Sequence, residues 1–449
     1  MAAMGIDGLV SGLNTTDLIN QLMQVESAPQ TALKTKQTET STLVTALQAL
    51  NVKVASLTDT ATKAATASSW TAMKASASST SVTATTSATS QATALSFTVD
   101  KLASSQTSLT DPLDLARLTS GTGTITVEMN GKLTEIAVGS DAAATARAIS
   151  SSKAGVSAVA VKVGSETRFQ LTGTSSGEAS SFKVYVGTAD EVTAGTASEV
   201  SLEHTSKAAD AEITLWAGSS AARTVKSSSN TFSDVLDGTA FTVSKVETDP
   251  VKLTVSTDTA ALASLGKNLV ASLGVVLSEI SSRTASTTTT EDGRTVVKGG
   301  VLSGSSSVRT LQQRVQSAAS FPVNGVSPSA VGISMDKDGN FTFDEAKFTA
   351  ALAADPAKVQ SVMSGLAQRV ADVAKSTSDS KTGTLTAEIT GQQGLVKDLG
   401  ERIDSWDARL ALRKEGLQAT YSALEVTLSN MQSQSSWLAS QLSSLSTSS

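Results

Sequence analysis

The five residues Gly-Thr-Ser-Ser-Gly at 173–177 have the spacing of the nucleophile elbow of hydrolases. In that motif a strand-turn-helix presents the central serine, here Ser175, and an acid and a histidine follow later in the chain. The only histidine, His204, lies 29 residues on, in a polar stretch. Nothing between them resembles the rest of a hydrolase, so we interpret the pattern as a chance match in a chain rich in serine and glycine.

A second segment, the twelve residues that start at Ser334, approaches the pattern of a calcium-binding loop. Acidic residues and a glycine occupy its third, fifth, sixth and twelfth positions: Asp336, Asp338, Gly339 and Glu345. The first position is serine, where such loops have aspartate. The incoming residues alternate like a strand, so the Asp-Lys-Asp-Gly run is better explained as a hairpin turn.

Composition narrows the chemistry further. The chain has no cysteine and one histidine, which excludes disulfides, thiolate nucleophiles and Cys-ligated metals. Its net charge is -6, and no cluster of Lys and Arg suggests a phosphate-binding surface. One basic group is interpreted as the solvated face of a helix: Arg402, Arg409, Arg413 and Lys414. We therefore expect no enzyme activity, no metal, no cofactor and no nucleic acid partner.

The 449 residues are too many for one core, since single cores rarely grow past roughly 250–300 residues. Only 3% of the residues are aromatic, although aromatic side chains supply much of the buried area of an ordinary core. Long helices that interleave Ala, Leu and Val would then provide the stability. We expect an extended, modular protein with several domains.

Neither a secretory signal nor a membrane span is predicted. No basic residue precedes Lys34, and Asp7 and Asp17 interrupt the apolar start. The longest apolar stretch, at 269–277, is too short and too interrupted to cross a bilayer. A soluble protein without membrane insertion is expected, and export without a cleaved signal stays open.

Helices are predicted near the start of the chain. Asn14 is placed to cap the first, with Asp17 near the positive end of its dipole. Pro29 ends this helix and starts another, because proline is tolerated in the first turn of a helix and not in its interior. The second helix carries apolar residues at spacings of four and three, which predicts a coiled-coil seam: Leu43, Leu47, Leu50, Val54 and Leu57.

The C-terminal helix has the stronger pattern. Apolar residues follow one another at unbroken intervals of seven: Ile403, Leu410, Leu417, Leu424, Met431, Leu438 and Leu445. A strict seven-residue period implies a left-handed supercoil. The period favours a coiled-coil stem, and the alternative is a single amphipathic helix on a globular core.

The middle of the chain reads as strands separated by Gly, Ser, Asp and Asn. Strands are expected at 124–129, 158–163, 168–172, 182–186, 212–216, 241–243 and 251–255. Helical pattern returns after Asp258, a predicted cap, and the polar stretch 284–298 is predicted to be an exposed loop. Residues 333–335 and 341–343 are predicted to form a hairpin.

The predicted fold class is multidomain α+β. N- and C-terminal helices form a coiled-coil stem and a helical domain, and these carry an inserted β-rich head. The expected divisions are 1–42 with 395–449 for the stem, 43–75 with 258–394 for the helical domain, 76–120 with 206–257 for one head domain, and 121–205 for a variable head domain.

Short motifs spread over nearly the whole chain carry a family resemblance. The start reads Ile6-Asp-Gly-Leu-Val-Ser-Gly-Leu-Asn14, and the end includes Tyr421-Ser-Ala-Leu-Glu and Leu428-Ser-Asn-Met-Gln-Ser-Gln434. Between them lie Phe97-Thr-Val-Asp-Lys-Leu-Ala103, the segment 228–238, Leu302-Ser-Gly304, Val308-Arg-Thr-Leu311 and Gly332-Ile333. In this order the motifs resemble bacterial flagellar filament capping proteins, the flagellar hook-associated protein 2 family. Asn14 and Ser305 stand where the family more often has acidic residues.

The resemblance implies a structural protein at the distal tip of the bacterial flagellum. It implies a ring-like homo-oligomer that promotes polymerisation of exported flagellin and prevents its loss. Flagellin, the hook–filament junction protein, the flagellar type III export apparatus and an export chaperone would be its partners. The location would be extracellular, reached without a cleaved signal peptide, and the absence of cysteine suits a chain that is exported unfolded.

Three alternatives stay open. A hook–filament junction protein or a flagellin shares the terminal coiled coils, although the motifs at Leu302 and Gly332 belong to the capping pattern. A surface adhesin would act through the β-rich head, which offers few aromatic side chains for stacking on sugars. A hydrolase that uses Ser175 is the weakest alternative.

Overall fold

The computed structural model describes residue 12 and residues 14–112, 123–164, 166–291 and 294–446. The N-terminal motif at 6–11, Leu13 and the side chain of the predicted seam residue Leu445 lie outside the described residues. The chain divides into two compact units. We call Met1–Trp70 with Ala263–Ser449 the helical unit, and Thr71–Leu262 the β unit.

Helices occupy both ends of the chain and strands its middle, which confirms the α+β class with a β-rich insertion. The α-helices are α1 Thr15–Glu26, α2 Ala28–Ala65, α3 Ala142–Ser151, α4 Ala189–Thr193, α5 Thr259–Thr284, α6 Ser306–Ser320, α7 Glu345–Ala354, α8 Pro356–Ser378 and α9 Thr384–Ser446. Short 3-10 turns lie at Ala67–Trp70, Glu178–Ser180 and Pro328–Val331.

The strands follow one another closely. They are β1 Met73–Ala77, β2 Val82–Thr86, β3 Thr93–Lys101, β4 Thr107–Thr110, β5 Thr124–Met129, β6 Lys132–Ala137, β7 Val156–Val163, β8 Glu166–Gly173, β9 Phe182–Val186 and β10 Ser198–Glu199. Then come β11 Leu202–Ser206, β12 Ala211–Leu215, β13 Arg223–Ser227, β14 Thr231–Leu236, β15 Thr239–Val243, β16 Glu247–Thr257, β17 Thr287–Glu291, β18 Arg294–Lys298, β19 Ile333–Met335 and β20 Phe341–Phe343.

The local signals at the helix starts act as predicted. The Asn14 side chain accepts a hydrogen bond from the Asp17 N–H at 3.1 Å and so caps α1. Ser27 separates α1 from α2, and Pro29 lies in the first turn of α2, where no intrahelical donor is lost. Asp258 accepts from the Ala261 N–H at 3.0 Å at the start of α5.

The core of the helical unit is built from aliphatic side chains. Helix α2 packs against α8 and α9. The fully buried residues of these and the neighbouring helices are mostly Leu, Val and Ala: Leu47, Leu50, Val54, Leu57 and Ala61 on α2, Val359, Val362, Met363, Leu366 and Val370 on α8, and Leu269, Leu273, Val276 and Ile280 on α5. Many small contacts therefore replace the few large aromatic ones, as the composition predicts.

Helix α5 corrects the expectation that no segment is long enough to span a membrane. By length and composition alone, its 26 residues could cross a bilayer. This is weak evidence, because the core helices of soluble proteins pass the same test. Leu269, Leu273, Val276 and Ile280 are buried within the helical unit, as the apolar face of a core helix is.

The β unit has two hydrophobic clusters. One lies between a five-stranded sheet of order β1-β16-β3-β12-β13 and a three-stranded sheet β14-β15-β2. In it Phe241 stacks between Phe97 and Phe232, with ring centroids 4.9 and 5.4 Å away. The other joins the sheets β10-β9-β5-β6 and β11-β4-β8-β7 to α3, around Phe169, Leu171 and Ile149. All strand pairs in the described residues are antiparallel, and the four-part domain division remains a prediction.

Two parts of the sequence prediction are wrong. The stretch 284–298, expected to be an exposed loop, contains the antiparallel hairpin β17–β18, in register from Thr287 opposite Lys298 to Glu291 opposite Arg294. Threonine has high strand propensity, which outweighs its polarity here. Helix α3 was not expected within the strand-rich middle, although Asp141 caps it by accepting from the Ala144 N–H at 2.7 Å.

Candidate assembly interface

The longest element, α9, begins after a tight turn that the Asp379 side chain organises. Its Oδ1 accepts from the backbone N–H groups of Lys381 and Thr382 at 2.9 and 2.8 Å. These hydrogen bonds stabilise the charged carboxylate, so they hold the pKa of Asp379 below its ordinary value. The helix then runs for 63 residues, which is roughly 95 Å at ~1.5 Å per residue.

The first half of α9 is covered by the N-terminal helices. Leu399, Ile403 and Leu410 are buried along it, and α9 packs against α2 and α1. Buried Gln30 on α2 donates to the Asp407 carboxylate. Arg413 Nε lies 3.2 Å from Glu26 Oε1 at the end of α1.

The second half of α9 is not covered in the same way. Glu425 is buried, but from Met431 to Ser443 every side chain is exposed. Large apolar side chains are among them and just before them: Leu424, Val426, Met431, Trp437, Leu438 and Leu442. Contiguous exposed apolar surface of this kind marks an interaction site in a soluble protein.

Charge is also missing from this part of the helix. After Glu425 the last 24 residues contain no Asp, Glu, Lys or Arg and are mainly Ser, Gln, Thr and Leu. An exposed helix normally carries charges, whereas the centre of a protein interface is depleted of them. The composition therefore agrees with the exposure in pointing to a surface that another helix covers. This signal is readable in the sequence, and seam spacing alone does not reveal it.

The predicted seam residues fall into three groups. Leu47, Leu50, Val54 and Leu57 lie in the core of the helical unit with Leu43 half-buried beside them, and Ile403 and Leu410 are buried on α9. Leu417 is half-buried. Leu424, Met431 and Leu438 are exposed and share one face at intervals of seven. That these residues form a coiled-coil seam remains a prediction.

The basic group on α9 has more partners than a purely solvated face would have. Arg402 Nε lies 3.0 Å from Asp398 Oδ2, and Arg413 pairs with Glu26. The Arg409 guanidinium lies 4.0 Å from the centre of the Trp406 ring, a cation–π contact. All three arginines remain largely exposed, so their contribution to stability is small.

The hydrolase-like motif lacks the geometry of a nucleophile elbow. Gly173 ends β8, and residues 174–177 lead into the short 3-10 turn Glu178–Ser180 rather than into an α-helix. His204 Nδ1 is instead 2.9 Å from the Ser108 Oγ on β4. Ser108 is fully buried, so a substrate cannot reach this pair. The Ser108–His204 contact was not predicted, because the two residues are 96 positions apart.

The calcium-like segment forms the predicted hairpin turn between β19 and β20. Asp336 Oδ1 accepts from the backbone N–H groups of Asp338 and Asn340 at 2.9 and 2.8 Å. These bonds, that from Asn340 above all, hold the pKa of Asp336 below its ordinary value. The carboxylate thus serves the turn, and among the described residues no group of three or more His, Cys, Asp or Glu could hold a metal.

Two family models match the chain. One, described as flagellar hook-associated protein 2 N-terminus, matches residues 11–106, and the other, flagellar hook-associated protein 2 C-terminus, matches residues 208–433. The chain is 30% identical over 481 residues to the B-type flagellar hook-associated protein 2 of Pseudomonas aeruginosa, with 98% of each covered. It is 26% identical to the lateral flagellar hook-associated protein 2 of Vibrio parahaemolyticus, over 47% of this chain and 46% of that one.

A solved structure shares the fold. The flagellar cap protein FliD from Escherichia coli, in its D1-D2-D3 domains, superposes with a TM-score of 0.63 at 24% identity. The match covers 78% of this chain and 99% of that one. A helical unit made from both chain ends and a β-rich insertion is therefore an architecture found in a crystal structure.

These observations define a structural protein of the bacterial flagellum. The chain belongs to the flagellar hook-associated protein 2 family. It is a flagellar filament cap protein, as the resemblance read from the sequence implied, and nothing favours the junction protein, flagellin, adhesin or hydrolase alternatives.

Proposed function

We propose that this cap protein works as a ring-like homo-oligomer at the distal, extracellular tip of the filament. There it promotes the insertion of exported flagellin subunits and prevents their loss. Flagellin and the hook–filament junction protein are its proposed partners during assembly. It reaches the tip unfolded through the flagellar type III export apparatus, with an export chaperone and without cleavage of a signal peptide.

The observation that carries this proposal is the exposed, uncharged C-terminal half of α9. The seam residues Leu424, Met431 and Leu438 present one apolar stripe without a covering helix among the described residues. A helix of this kind gains stability when it is buried against other helices. Neighbouring copies in a ring, or the axial proteins below them, would supply those helices.

We further propose that the protein performs no catalysis. The Ser108–His204 pair is buried, and the carboxylates of Asp336 and Asp379 are occupied by backbone N–H donors. The work of the protein would then be done by surfaces that bind other subunits. No cofactor is required for that role.

Complementation tests the function directly. A flagellated host that lacks its own cap protein is supplied with this chain, and flagellin is measured in the medium and on the cells. We expect full-length filaments and little free flagellin, and purified protein should form annular particles by electron microscopy. Free flagellin at the level of the uncomplemented strain, from cells that do export the chain, would reject the proposal.

A further inference from the structure

The helical unit has a second exposed apolar feature, away from the C-terminal helix. Phe321 directly follows α6 and is 61% exposed. It borders a groove of about 400 Å³ between α6 and α8, whose lining includes apolar Ala318 and Val373 and charged Arg314, Arg369 and Asp372. A large exposed aromatic side chain beside an arginine is the composition of an interface hot spot.

The segment that carries Phe321 is held firmly. Arg369 on α8 donates from Nη2 to the main-chain oxygen of Phe321 at 2.7 Å and from Nη1 to that of Pro322 at 3.2 Å. Its Nε is buried without a hydrogen-bond partner, and burial lowers the pKa of the guanidinium below its ordinary value. The fold thus tolerates an unfavourable buried donor and keeps this backbone fixed.

Two further contacts fix the turn that follows. Val323 and Val326 pair through mutual backbone hydrogen bonds of 2.9 Å across Asn324 and Gly325, both of which have positive φ. The Val323 side chain lies so close to α8 that a Cβ added to Gly365 would be 2.6 Å from it. The Asn324 Nδ2 donates to the Ser361 Oγ at 3.1 Å.

The groove carries more positive than negative charge. Arg314 and Arg369 form no ion pair in the described part of the chain, and the one carboxylate in the lining, that of Asp372, accepts from Gln368 at 2.9 Å. The chain as a whole has 41 acidic and 35 basic residues. The groove is therefore complementary in charge to most of the surface of another copy of the same chain.

From this geometry we infer that Phe321 and the α6–α8 groove form a contact with a neighbouring copy in the ring, an inference that rests on the proposed function. A closed ring is built from heterologous contacts, in which each copy presents two different, complementary surfaces. The Phe321 groove is one of them, and an acidic surface of the next copy is the other. A pinned aromatic residue loses little conformational entropy on binding, which favours it as an anchor.

Self-association of the purified full chain, measured by sedimentation velocity over a range of protein and salt concentrations, tests the inference. We expect Phe321→Ala to raise the dissociation constant of the oligomer roughly tenfold or more. Arg314→Gln should raise it less and should weaken its dependence on salt, because the screened attraction is removed. Both side chains are exposed, and unchanged circular dichroism would show that the variants fold.

Matched variants in the same unit serve as controls. Arg309→Gln changes an exposed arginine on α6 outside the groove, and Met335→Ala removes an exposed apolar side chain elsewhere. Neither should alter association. If the wild-type chain forms rings and Phe321→Ala forms them equally well, the inference is wrong while the proposed function stands. If the wild-type chain stays monomeric at every concentration, the proposed ring itself fails.

Discussion

The Arg369 guanidinium donates to the main-chain oxygen of Phe321 at 2.7 Å and so ties the end of α6 to the middle of α8. The residue next along the chain, Pro322, accepts from the same guanidinium. An arginine can serve two acceptors at once because its donors form a planar fork. This contact determines how the chain leaves α6 and therefore where the exposed Phe321 lies.

We predict that Arg369→Lys destabilises the helical unit by about 1–2 kcal/mol. A lysine ammonium has no planar fork to serve both carbonyl oxygens, so one of them loses its donor. Urea unfolding followed by circular dichroism measures the change. The control is Arg309→Lys, which alters an exposed arginine on α6 and should leave the midpoint unchanged. Equal stability of the two variants would show that the Arg369 contact is dispensable.

Glycine substitutions on two helices should act in opposite directions. Gly365→Ala on α8 places a Cβ 2.6 Å from the Val323 side chain, and we expect a loss of about 1–3 kcal/mol from overpacking. Gly416→Ala on α9 meets nothing within 4 Å, and the better helix propensity of alanine should add about 0.5–1 kcal/mol. Thermal unfolding monitored at the helical signal compares them. Stabilisation by Gly365→Ala would mean that Val323 moves freely.

Helix boundaries were the most predictable part of the fold, because they depend on local chemistry. Asn14, Pro29 and Asp258 act within a few residues of their position in the sequence. The β17–β18 hairpin was missed although Asp-Gly, a strong turn signal, separates its two threonine- and valine-containing strands in the sequence. Polarity was given more weight there than propensity.

The candidate interface was only half predictable. The seven-residue period locates Leu424 and Met431 on one face, but period alone does not distinguish a buried seam residue such as Ile403 from an exposed one. That difference depends on which residues α1 and α2 reach along α9, a tertiary property. The Phe321 groove had no sequence signal, since it depends on Arg369, 48 residues further along the chain.

A pH-dependent contribution should come from Glu279 on α5. Its carboxylate lies 3.0 Å from Lys53 Nζ on α2 and 3.0 Å from Arg283 Nε, and its side chain is only 11% exposed. The hydrogen bond from Lys53, and then that from Arg283, hold the pKa of Glu279 below its ordinary 4.5. The stabilisation is therefore complete above that value and is lost as the pH falls through the lower, folded-state pKa.

We predict that Glu279→Gln costs about 1–3 kcal/mol of unfolding free energy at neutral pH. The difference from wild type should shrink below the ordinary glutamate pKa of 4.5, because the wild-type carboxyl is then protonated too. Denaturant titrations at a series of pH values measure it. Glu39→Gln removes the exposed Lys36–Glu39 pair and should have little effect at any pH. A pH-independent loss for Glu279→Gln would point to packing rather than charge.

Limited proteolysis should cut the C-terminal part of α9 before the β unit. Its side chains are exposed from Met431 onward, whereas the β unit has two hydrophobic clusters of its own. Trypsin cannot report this, because the last basic residue is Lys414. Chymotrypsin is expected to cleave first after Tyr421 or Trp437, as mass spectrometry of the early fragments would show. Early cuts within residues 124–255, with α9 intact, would contradict the prediction.

The last prediction concerns the seam on α9 and rests on its apolar character. Leu424→Asp places a carboxylate on a face that is to be buried in the assembly, where it has no partner, at a cost of several kcal/mol. Cells that export this variant should release flagellin monomers into the medium and swim poorly. Leu412→Asp introduces the same charge on the same helix at a position 70% exposed and off the seven-residue period, and its cells should swim normally. Immunoblots of the medium must show that both variants are exported, since failed export gives the same phenotype. Full-length filaments from cells that export Leu424→Asp would mean that the seam does not hold the cap in place.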